Sequence, residues 1–425
     1  MRWWLQRDPA LLMPARRLGL RRHRARRPTT TRRSVGPHDS TPSNASPRRG
    51  EAGRQPFGFG LPDAAHVWLT FSGTAALFSA ARALGLEPGD GVLFPAYNCG
   101  HEIEPFLRRK IRPAFYRVGP GVCVDPDDVE REIRAETRAV LLTHYFGFPQ
   151  NAEAIRALCD RHGLRLIEDC AHALYSADGS GTPLGSYGDA AVFSLRKSLP
   201  LSDGGALLLR SDPAGRAPEL HDPPRLPIAL KRIELWKKSL LQAMTLPGWT
   251  LSRAALVALA PVLALRDALE ARNVGGPIPW YDPDYEEFDF PEEVLSWRMS
   301  RSAAAALAGF EPAAIRAARR AHYTRLADQI RSIPGVTLLP ELPQETCPLY
   351  LPLWTDRPQH VIARLQAGGI SAAHWWDLFH PAVPWNDYPE AVALKRNGIV
   401  LPIHQSLETH HIDRAAHALE RALNS

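Results

Sequence analysis

A lysine lies in a polar turn between two short apolar runs, and it constrains the fold more than any other feature of the sequence. Ala190–Phe193 has the pattern of a buried strand, and the turn after it carries Ser194 and Lys197. A second apolar run at 206–209 follows Gly204-Gly205. A lysine held between two buried strands is costly unless its amine is uncharged or covalently used. A Schiff base with the aldehyde of pyridoxal phosphate (PLP) is one such use, although a solvated lysine in a turn is the commoner arrangement.

Two segments upstream supply the groups that this cofactor needs. The predicted strand at 164–167 leads into Glu-Asp-Cys-Ala-His, and a carboxylate at the C-terminal end of a strand lies where α/β proteins place cofactor contacts. PLP requires a carboxylate that keeps its pyridine nitrogen protonated, with a helix N-cap as the alternative role for Asp169. At 72–77 the sequence Ser-Gly-Thr-Ala-Ala-Leu begins a predicted helix, where small residues expose backbone N–H groups to a phosphate.

Five motifs in this order resemble the DegT/DnrJ family of PLP-dependent sugar aminotransferases, which have the fold-type I, aspartate-aminotransferase-like fold. They are Ser-Gly-Thr-Ala-Ala-Leu at 72–77, Phe-Pro-Ala-Tyr at 94–97, Thr-His-Tyr-Phe-Gly at 143–147, Ile-Glu-Asp-Cys-Ala-His at 167–172, and Phe-Ser-Leu-Arg-Lys at 193–197 with Gly204-Gly205. Weaker matches are Trp-Arg-Met-Ser at 297–300 and Leu-Pro-Ile-His at 401–404. The order and spacing of the motifs, rather than any single one, carry the resemblance.

The resemblance implies an α/β fold, with a large domain built on a mostly parallel sheet and a smaller C-terminal α+β domain. It implies a homodimer that uses PLP to move an amino group from glutamate or glutamine to a keto-sugar, by family default a nucleotide-linked one. A PLP-dependent lyase or dehydratase on the same fold is the alternative enzyme. A non-catalytic PLP-binding regulator is less expected, because Lys197 and Asp169 are both present.

The resemblance also implies a role for each site residue. Lys197 is expected to form the Schiff base and then to carry a proton between substrate and cofactor, while Asp169 pairs with the pyridine nitrogen. His172 matches the position that contacts the ring hydroxyl, with a hydrogen-bonded core histidine as the alternative. The residues expected to hold the phosphate are Gly73, Thr74, Ala75 and Ser194.

The sequence departs from the family pattern at three places. Cys99 occupies the ring-stacking position, which is often aromatic, so either Cys99 or the nearby Tyr97 is expected to cover the ring. Ser194 precedes the lysine by three residues, whereas many members place a serine five residues before it. Leu295-Ser296 replaces the asparagine before the Arg-Met pair, which puts its cross-subunit phosphate contact in doubt. Arg298 of that pair is a candidate for binding the donor carboxylate.

Charge and cysteine content exclude some classes of protein. The chain of 425 residues has a net charge of +6, but 13 Arg and 2 Asp in residues 1–50 give +11, and the remainder carries −5. The high pI is therefore no argument for nucleic-acid binding. The five cysteines have neither disulfide-like nor zinc-like spacing, which indicates reduced thiols, no metal site and a cytoplasmic protein.

The composition divides the chain into three predicted regions. Residues 1–55 are expected to form a disordered basic tail, 56–290 the large PLP-binding domain, and 291–425 a long helix with the small C-terminal domain. A helical insertion is predicted at about 211–290. Its apolar part, 226–272, is expected to pack on the body or on a partner subunit, or alternatively to lie on a membrane surface through Lys231, Arg232, Lys237 and Lys238.

Strands that alternate with helices over 60–210 predict a mostly parallel sheet that is covered on both faces. Helices are predicted at 99–109 and 127–135, and a helical stretch at 297–318 is expected to continue through 319–333. A C-terminal set of aromatic and polar residues could line the acceptor pocket or belong to the domain core: His374, Trp375, Trp376, His380, His404 and Gln405.

Overall fold

The computed structural model describes residues 60–424 apart from 227, 234, 236–259 and 262–290. The predicted basic tail at 1–55 and most of the predicted insertion, including Lys237 and Lys238, lie outside the described residues. In the described part of the chain, no helix combines the length and the apolar character that crossing a membrane requires.

A seven-stranded sheet occupies the first part of the structure. Its strands are β1 (His66–Thr70), β2 (Gly91–Pro95), β3 (Arg112–Tyr116), β4 (Thr137–Thr143), β5 (Arg165–Asp169), β6 (Ala190–Phe193) and β7 (Gly205–Leu209). They lie in the order β1-β7-β6-β5-β4-β2-β3. All pairs from β6 to β3 are parallel, whereas β7 is antiparallel to both of its neighbours. The predicted α/β class with a mostly parallel sheet is confirmed.

Five helices lie in this region of the described chain, and the two longest begin at side-chain caps. They are α1 (Gly73–Ala83), α2 (Glu104–Leu107), α3 (Pro126–Arg131), α4 (Ala152–His162) and α5 (Leu195–Ser198). Ser72 and Asn151 accept hydrogen bonds from the first turns of α1 and α4, and α4 ends at Gly163 in the left-handed conformation. Every residue of β2, β6 and β7 is buried, as expected for strands covered on both faces.

A second, four-stranded antiparallel sheet follows toward the C-terminus. It contains β8 (Thr337–Leu338), β9 (Leu351–Trp354), β10 (Ala373–His374) and β11 (Gly398–Leu401) in the order β10-β11-β9-β8. The helices of this part are α6 (Arg301–Leu307), α7 (Pro312–Ile330), α8 (Pro358–Ala367), α9 (Pro389–Asn397) and α10 (Thr409–Leu423). The apolar side chains of α10, among them the fully buried Ile412 and Leu419, join the same core as the first sheet.

Three predicted helices are shorter than expected. The one at 99–109 is helical only over Glu104–Leu107, because Gly100 has φ 85° and Glu102 folds back onto the Cys99 N–H. The one at 127–135 ends at Arg131.

The helical stretch predicted at 297–318, with its continuation through 319–333, is also interrupted. It divides into α6 and α7, and Gly309 lies in the break between them. Pro312 starts a new helix because proline lacks an N–H group and fits only the first turn. α7 therefore begins at Pro312 instead of continuing from α6.

Candidate active site

The candidate pocket lies at the carboxyl ends of β5 and β6. These strands are parallel, so they end at the same edge of the sheet. Asp169 is the last residue of β5 and pairs with Val192 of β6, two residues before Ser194. His172 and Lys197 follow in the turns after the two strands. The predicted groups therefore meet in the strand-end crevice where ligands bind in open α/β sheets.

Lys197 lies beside a buried histidine. Its Nζ is 3.0 Å from Nε2 of His172, a residue with 2% exposure. The Phe146 N–H donates to Nδ1 of the same ring over 3.4 Å, which assigns the ring proton to Nε2. Burial, and then the charge of Lys197, lowers the pKa of His172 well below its usual value, so the ring is neutral. The Lys197 amine and this neutral ring are therefore hydrogen-bonded partners inside the fold.

Asp169 is a buried carboxylate with little compensation for its charge. Its exposure is 6%, and within the described residues its one hydrogen bond comes from the Ala171 N–H, at 2.9 Å to Oδ1. Burial, and then the charge of the neighbouring Glu102, raises the pKa of Asp169 to about 6 against the opposing charge of Lys197. A cationic group brought to the free side of this carboxylate would restore its ionised form.

The predicted phosphate groups meet at the start of α1. A Cβ built on Gly73 would lie 3.3 Å from the Cβ of Ser194, so this helix start and the turn after β6 are in close contact. The first turn leaves the N–H groups of Gly73 and Thr74 without intrahelical acceptors. The Ser194 hydroxyl does not cap α5. Ala75 differs from these three, because its N–H already donates to Oγ of Ser72 at 3.2 Å, so the expected Ala75 contact has no free donor.

Gly204 and Gly205 bring the strand that follows the lysine against the start of α1. Gly204 has φ 141°, and a Cβ on Gly205 would lie 2.3 Å from the carbonyl carbon of Ser72. The carbonyl of Gly204 accepts the Leu195 N–H at 3.0 Å. Only glycine allows this approach, so the pair fixes the distance between the lysine turn and the phosphate candidates.

Cys99 is bound to a carboxylate that the sequence analysis did not single out. Its Sγ donates to Oε2 of Glu102 at 2.6 Å, and its N–H donates to Oε1 of the same side chain at 3.0 Å. Burial raises the pKa of Cys99 well above its usual value, and Glu102 raises it further, so the sulfur is a thiol rather than a nucleophilic thiolate. Glu102 is itself 4% exposed, and its charge contributes to the raised pKa of Asp169.

Tyr97 and two tryptophans line the pocket on the side of the second sheet. The Tyr97 ring is fully buried, with ring centroids 5.3 Å from Tyr145 and 5.0 Å from Trp376. Trp375 and Trp376 also lie 5.2 and 5.3 Å from His172. Trp376 has φ 61°, an unusual conformation for a bulky side chain. The aromatic part of the C-terminal set therefore joins the lysine pocket.

The histidines of that set differ in their hydrogen bonding. His380 bonds through Nε2 to Glu104 at 3.0 Å, and Nδ1 of His404 lies 3.0 Å from the Ser406 hydroxyl. His374 is half-buried, and its Nδ1 has no hydrogen-bond partner in the described residues. In the described residues, these bonds of His380 and His404 are to groups other than Lys197.

Arg319 on α7 was not identified from the sequence, although it holds the lysine turn in place. It is 1% exposed, and its Nη2 donates to the carbonyl of Ser198, the residue after Lys197, at 3.2 Å. Gln405 donates to the same carbonyl at 3.1 Å and accepts from Nε of Arg319 at 2.7 Å. The long helix thus fixes the end of the segment that carries Lys197.

Arg298 has no contact with the pocket among its recorded partners. It is exposed, donates to the Leu220 carbonyl at 2.5 Å and lies 3.5 Å from Asp222. Leu295, at the position of the missing asparagine, is 1% exposed and packs inside. Arg298 therefore supports the connection between β1 and the segment around 221 rather than the strand-end crevice.

A buried group of three potential metal ligands lies near the pocket, formed by His144, Glu168 and Cys170. The Glu168 oxygens already accept N–H groups of Gly185, Tyr187 and Gly188, and one bonds Nε2 of His144 at 2.9 Å. Ligand atoms with these bonds have little capacity left for a cation, so the group is a hydrogen-bonded support for β5.

The pocket has the features that a planar aldehyde with a phosphate group requires. Lys197 offers an amine beside the neutral His172, the Asp169 carboxylate has one hydrogen-bond donor within the described residues, and the start of α1 offers backbone N–H donors. The buried oxygens without hydrogen-bond partners in the described residues include the Tyr97 hydroxyl and Oγ1 of Thr143 at the end of β4, the residue that pairs with Asp169. Buried polar atoms without partners are rare, and at a ligand site they are expected to bind the ligand or ordered water. The residues present therefore fit PLP.

Comparison with known proteins agrees with this geometry. Residues 61–217 match the model of the DegT/DnrJ/EryC1/StrS aminotransferase family. GDP-perosamine synthase of Vibrio cholerae is 35% identical over 150 residues, which are 35% of this chain and 41% of that enzyme. The dTDP-4-dehydro-2,3,6-trideoxy-D-glucose 4-aminotransferase of Saccharopolyspora spinosa is 41% identical over 146 residues, or 33% of this chain and 37% of that enzyme. The matched part thus spans less than half the length of these curated relatives.

Solved structures resemble the chain over a longer range. The aminotransferase TlmJ from Streptoalloteichus hindustanus has a TM-score of 0.58 at 21% identity and covers 84% of this chain and 86% of its own. 3-Amino-5-hydroxybenzoic acid synthase has a TM-score of 0.59 at 17% identity, with 85% and 87% covered. At these identities the likeness establishes the fold. Residues 61–217, the part of the chain that matches the family model, hold Asp169, His172, Ser194 and Lys197.

Proposed function

We propose that the protein is a PLP-dependent aminotransferase that passes an amino group from glutamate or glutamine to the ketone of a sugar or cyclitol. One observation carries the proposal. The Lys197 amine lies 3.0 Å from a neutral His172 in the strand-end crevice, next to the uncompensated carboxylate of Asp169. This arrangement provides an amine, a counter-ion for a protonated ring and donors for a phosphate within one pocket.

Each group has a part in holding the cofactor. The Gly73 and Thr74 N–H groups and the Ser194 hydroxyl would bind the phosphate, and Asp169 would bind the ring nitrogen. The His172 Nε2–H would donate to the ring hydroxyl, and Tyr97 with Cys99 would border the ring. When bound, PLP supplies an electron sink that stabilises negative charge on the substrate carbon.

Lys197 is the residue expected to move the proton. A neutral amine can bond the cofactor, leave it when the donor amine enters, and take the proton from the substrate carbon. The two bonds to the Ser198 carbonyl hold the following residue, so the Lys197 side chain moves from a fixed backbone. Trp375 and Trp376 restrict water on the side of the second sheet, which favours proton transfer between the substrate and Lys197.

The relatives suggest which acceptors to test. Several are named L-glutamine:2-deoxy-scyllo-inosose aminotransferase, for example that of Streptomyces kanamyceticus, 33% identical over 151 residues. Others are named for nucleotide-linked keto-sugars, such as UDP-N-acetyl-3-dehydro-alpha-D-glucosamine. Both acceptor types carry a ketone on a hydroxylated six-membered ring. We propose a ketone of this class as the acceptor, with the nucleotide-linked form tested first.

We further propose a cytoplasmic homodimer. Support comes from the reduced-thiol pattern and from the apolar segment 226–272, which requires cover by the body or by a second subunit. A peripheral membrane contact through the same segment is the alternative use. Sedimentation equilibrium of the purified protein should give twice the mass of the chain, and a fully active monomer would contradict the proposal.

Reduction with borohydride tests the lysine. The purified protein loaded with PLP is expected to retain the cofactor covalently on Lys197 after reduction, digestion and peptide mass spectrometry. Lys197→Ala serves as the matched control and should retain none. Attachment to another lysine, or to none in the parent protein, would contradict the assignment.

The donor half-reaction can be tested without an acceptor. Glutamine or glutamate should convert the bound aldehyde form of the cofactor to its amine form, with loss of the visible absorption band. Addition of a nucleotide-linked keto-sugar or 2-deoxy-scyllo-inosose should restore the band and yield the amino product. If no amine donor changes the spectrum while another substrate is eliminated or cleaved, the protein is a lyase.

A further inference from the structure

A fully buried lysine connects helix α9 to the loop that borders the candidate pocket. Lys395 has 0% exposure, and its Nζ donates to the backbone carbonyl of Asn98 at 2.7 Å. The same ammonium lies 5.2 Å from the ring centroid of Phe379 and 5.1 Å from that of Trp385. One carbonyl and two aromatic faces therefore replace the water that a lysine normally keeps.

The carbonyl that Lys395 binds belongs to a tightly bonded loop. The Asn98 side chain donates to the carbonyls of Pro95 and Ala96 at 3.0 and 2.9 Å. The next residue, Cys99, is held through both its N–H and its Sγ by Glu102. Lys395 thus provides a contact that joins this local network, which follows β2, to a helix 297 residues later in the sequence, while the His380–Glu104 bond lies just beyond the loop.

The loop faces the pocket through two groups. Cys99 occupies the position expected beside the cofactor ring, and Glu102 raises the pKa of Asp169 through its charge. A displacement of Asn98 would therefore move a wall of the pocket and change the charge next to Asp169. The network after β2 has no further recorded side-chain bond to the second sheet through Asn98, because its Oδ1 lacks a partner in the described residues.

We propose that Lys395 is a positioning residue that holds the Asn98–Glu102 loop against the Lys197 pocket. A lysine is an expensive choice for a buried helix position where an apolar side chain would fill the space. The ammonium form persists at neutral pH, since burial lowers the pKa of Lys395 to about 8 while Cys99, Glu102 and Asp377 oppose that shift. The proposal that Lys395 positions this loop does not depend on the proposed function. Any effect of Lys395 on turnover does depend on it.

The reactivity of Cys99 reports the state of the loop directly. Among the five cysteines, Cys123 is exposed and Cys159, Cys170 and Cys347 are buried. In a Cys123→Ser background, labelling by a maleimide, followed by peptide mass spectrometry, therefore reads Cys99. A Cys99→Ser variant in that background identifies the signal.

Lys395→Met in this background is the test. Loss of the contact with Asn98 should free the loop, and Cys99 of the cofactor-free protein should label at least ~10-fold faster, as expected for a segment that opens locally. A purely electrostatic effect has the opposite sign, because removing a positive charge near the thiol lowers its thiolate fraction. An unchanged or slower rate would overturn the proposal.

Leu365→Ala is the matched control for general loosening. Leu365 is fully buried on α8, and its truncation weakens the same core without touching Asn98. It should lower the melting temperature and leave the Cys99 labelling rate of the folded protein unchanged. If it accelerates labelling as much as Lys395→Met, Lys395 has only a general structural role. Weaker PLP retention by Lys395→Met, measured by equilibrium dialysis, would extend the effect to the cofactor site.

Discussion

Two neighbouring carboxylates on β5, Glu168 and Asp169, are equally deep in the fold and differ in their bonding. Glu168 is fully buried, and its oxygens accept three backbone N–H groups and the His144 ring. Burial pushes the pKa of Glu168 upward, but the His144 bond and the backbone N–H groups outweigh it, and the pKa is lowered. Asp169 has one backbone donor, and its pKa is raised to about 6.

Glu168 therefore has a structural role, whereas Asp169 is the carboxylate that we propose binds the ligand. Successive residues of a strand point to opposite faces, so the two side chains meet different surroundings although they are adjacent. Glu168 ties the loop at 185–188 to β5, and its bonds are complete within the chain. Asp169 ends the strand at the pocket, where within the described residues it has one hydrogen-bond donor and the charge of Lys197 offsets only part of the effect of burial. A bound ring nitrogen would provide a further cation.

Removal of the Glu168 carboxylate, whose hydrogen bonds are made within the chain, should have the largest effect on stability. Glu168→Ala would leave three backbone N–H groups and the buried His144 without an acceptor, at a cost of about 3–5 kcal/mol in the free energy of unfolding. Urea denaturation of the cofactor-free protein measures it. The control is Glu130→Ala, since Glu130 also bonds a histidine, His162 at 2.7 Å, but on the exposed surface. Equal losses in the two variants would remove the distinction.

Removal of the Asp169 charge should stabilise the cofactor-free protein. The raised pKa means that folded Asp169 binds a proton between about pH 4 and pH 6 that the unfolded chain releases, so its contribution becomes unfavourable as the pH rises through this window. Asp169→Asn should therefore gain about 2 kcal/mol at about pH 7.5 and nothing near pH 4.

The same substitution should lower turnover at least ~10²-fold, because the ring nitrogen loses its counter-ion. Denaturant melts at the two pH values and a steady-state assay measure the two effects. A variant that loses stability at neutral pH, or keeps full turnover, would return Asp169 to a capping role.

A smaller effect should distinguish two buried tyrosines in the same way. The Tyr97 hydroxyl has no partner in the described residues, whereas the Tyr145 hydroxyl donates to the Tyr97 carbonyl at 2.7 Å. Tyr97→Phe should raise the free energy of unfolding of the cofactor-free protein by about 1 kcal/mol, and Tyr145→Phe should lower it by about as much. Chemical denaturation of both variants provides the comparison, and a loss in each would show that the Tyr97 hydroxyl has a partner such as water.

The strand ends were predictable from the sequence, and the partners of their residues were not. Periodicity and Gly204-Gly205 located Lys197, and the carboxylate after a strand located Asp169, because both signals are local. The bond between Lys197 and His172 joins two turns only 25 residues apart, and the family pattern suggested the position of His172. Local rules were sufficient wherever the fold keeps consecutive elements adjacent.

Contacts between distant segments left no local signal. Lys395 and Arg319 have the sequence context of ordinary helical surface charges, and only the packing of the second sheet against the pocket buries them. The helix predicted at 99–109 is helical only over Glu104–Leu107, and here the cause is a side-chain bond within the segment. Its sequence suits a helix, but the side chain of Glu102 bonds the backbone of Cys99 and competes with helical hydrogen bonding.

The attachment of Ser198 to Arg319 and Gln405 has a consequence for synthesis of the protein. All seven strands of the first sheet lie before residue 210, so a ribosome can release this sheet while the rest of the chain is still being made. The segment that bears Lys197 is fastened by residues 121 and 207 positions later, and loops of that length close slowly. A nascent chain that stops before Gln405 would therefore carry a formed sheet with a loose lysine, and competence to react would arrive only with the last twentieth of translation.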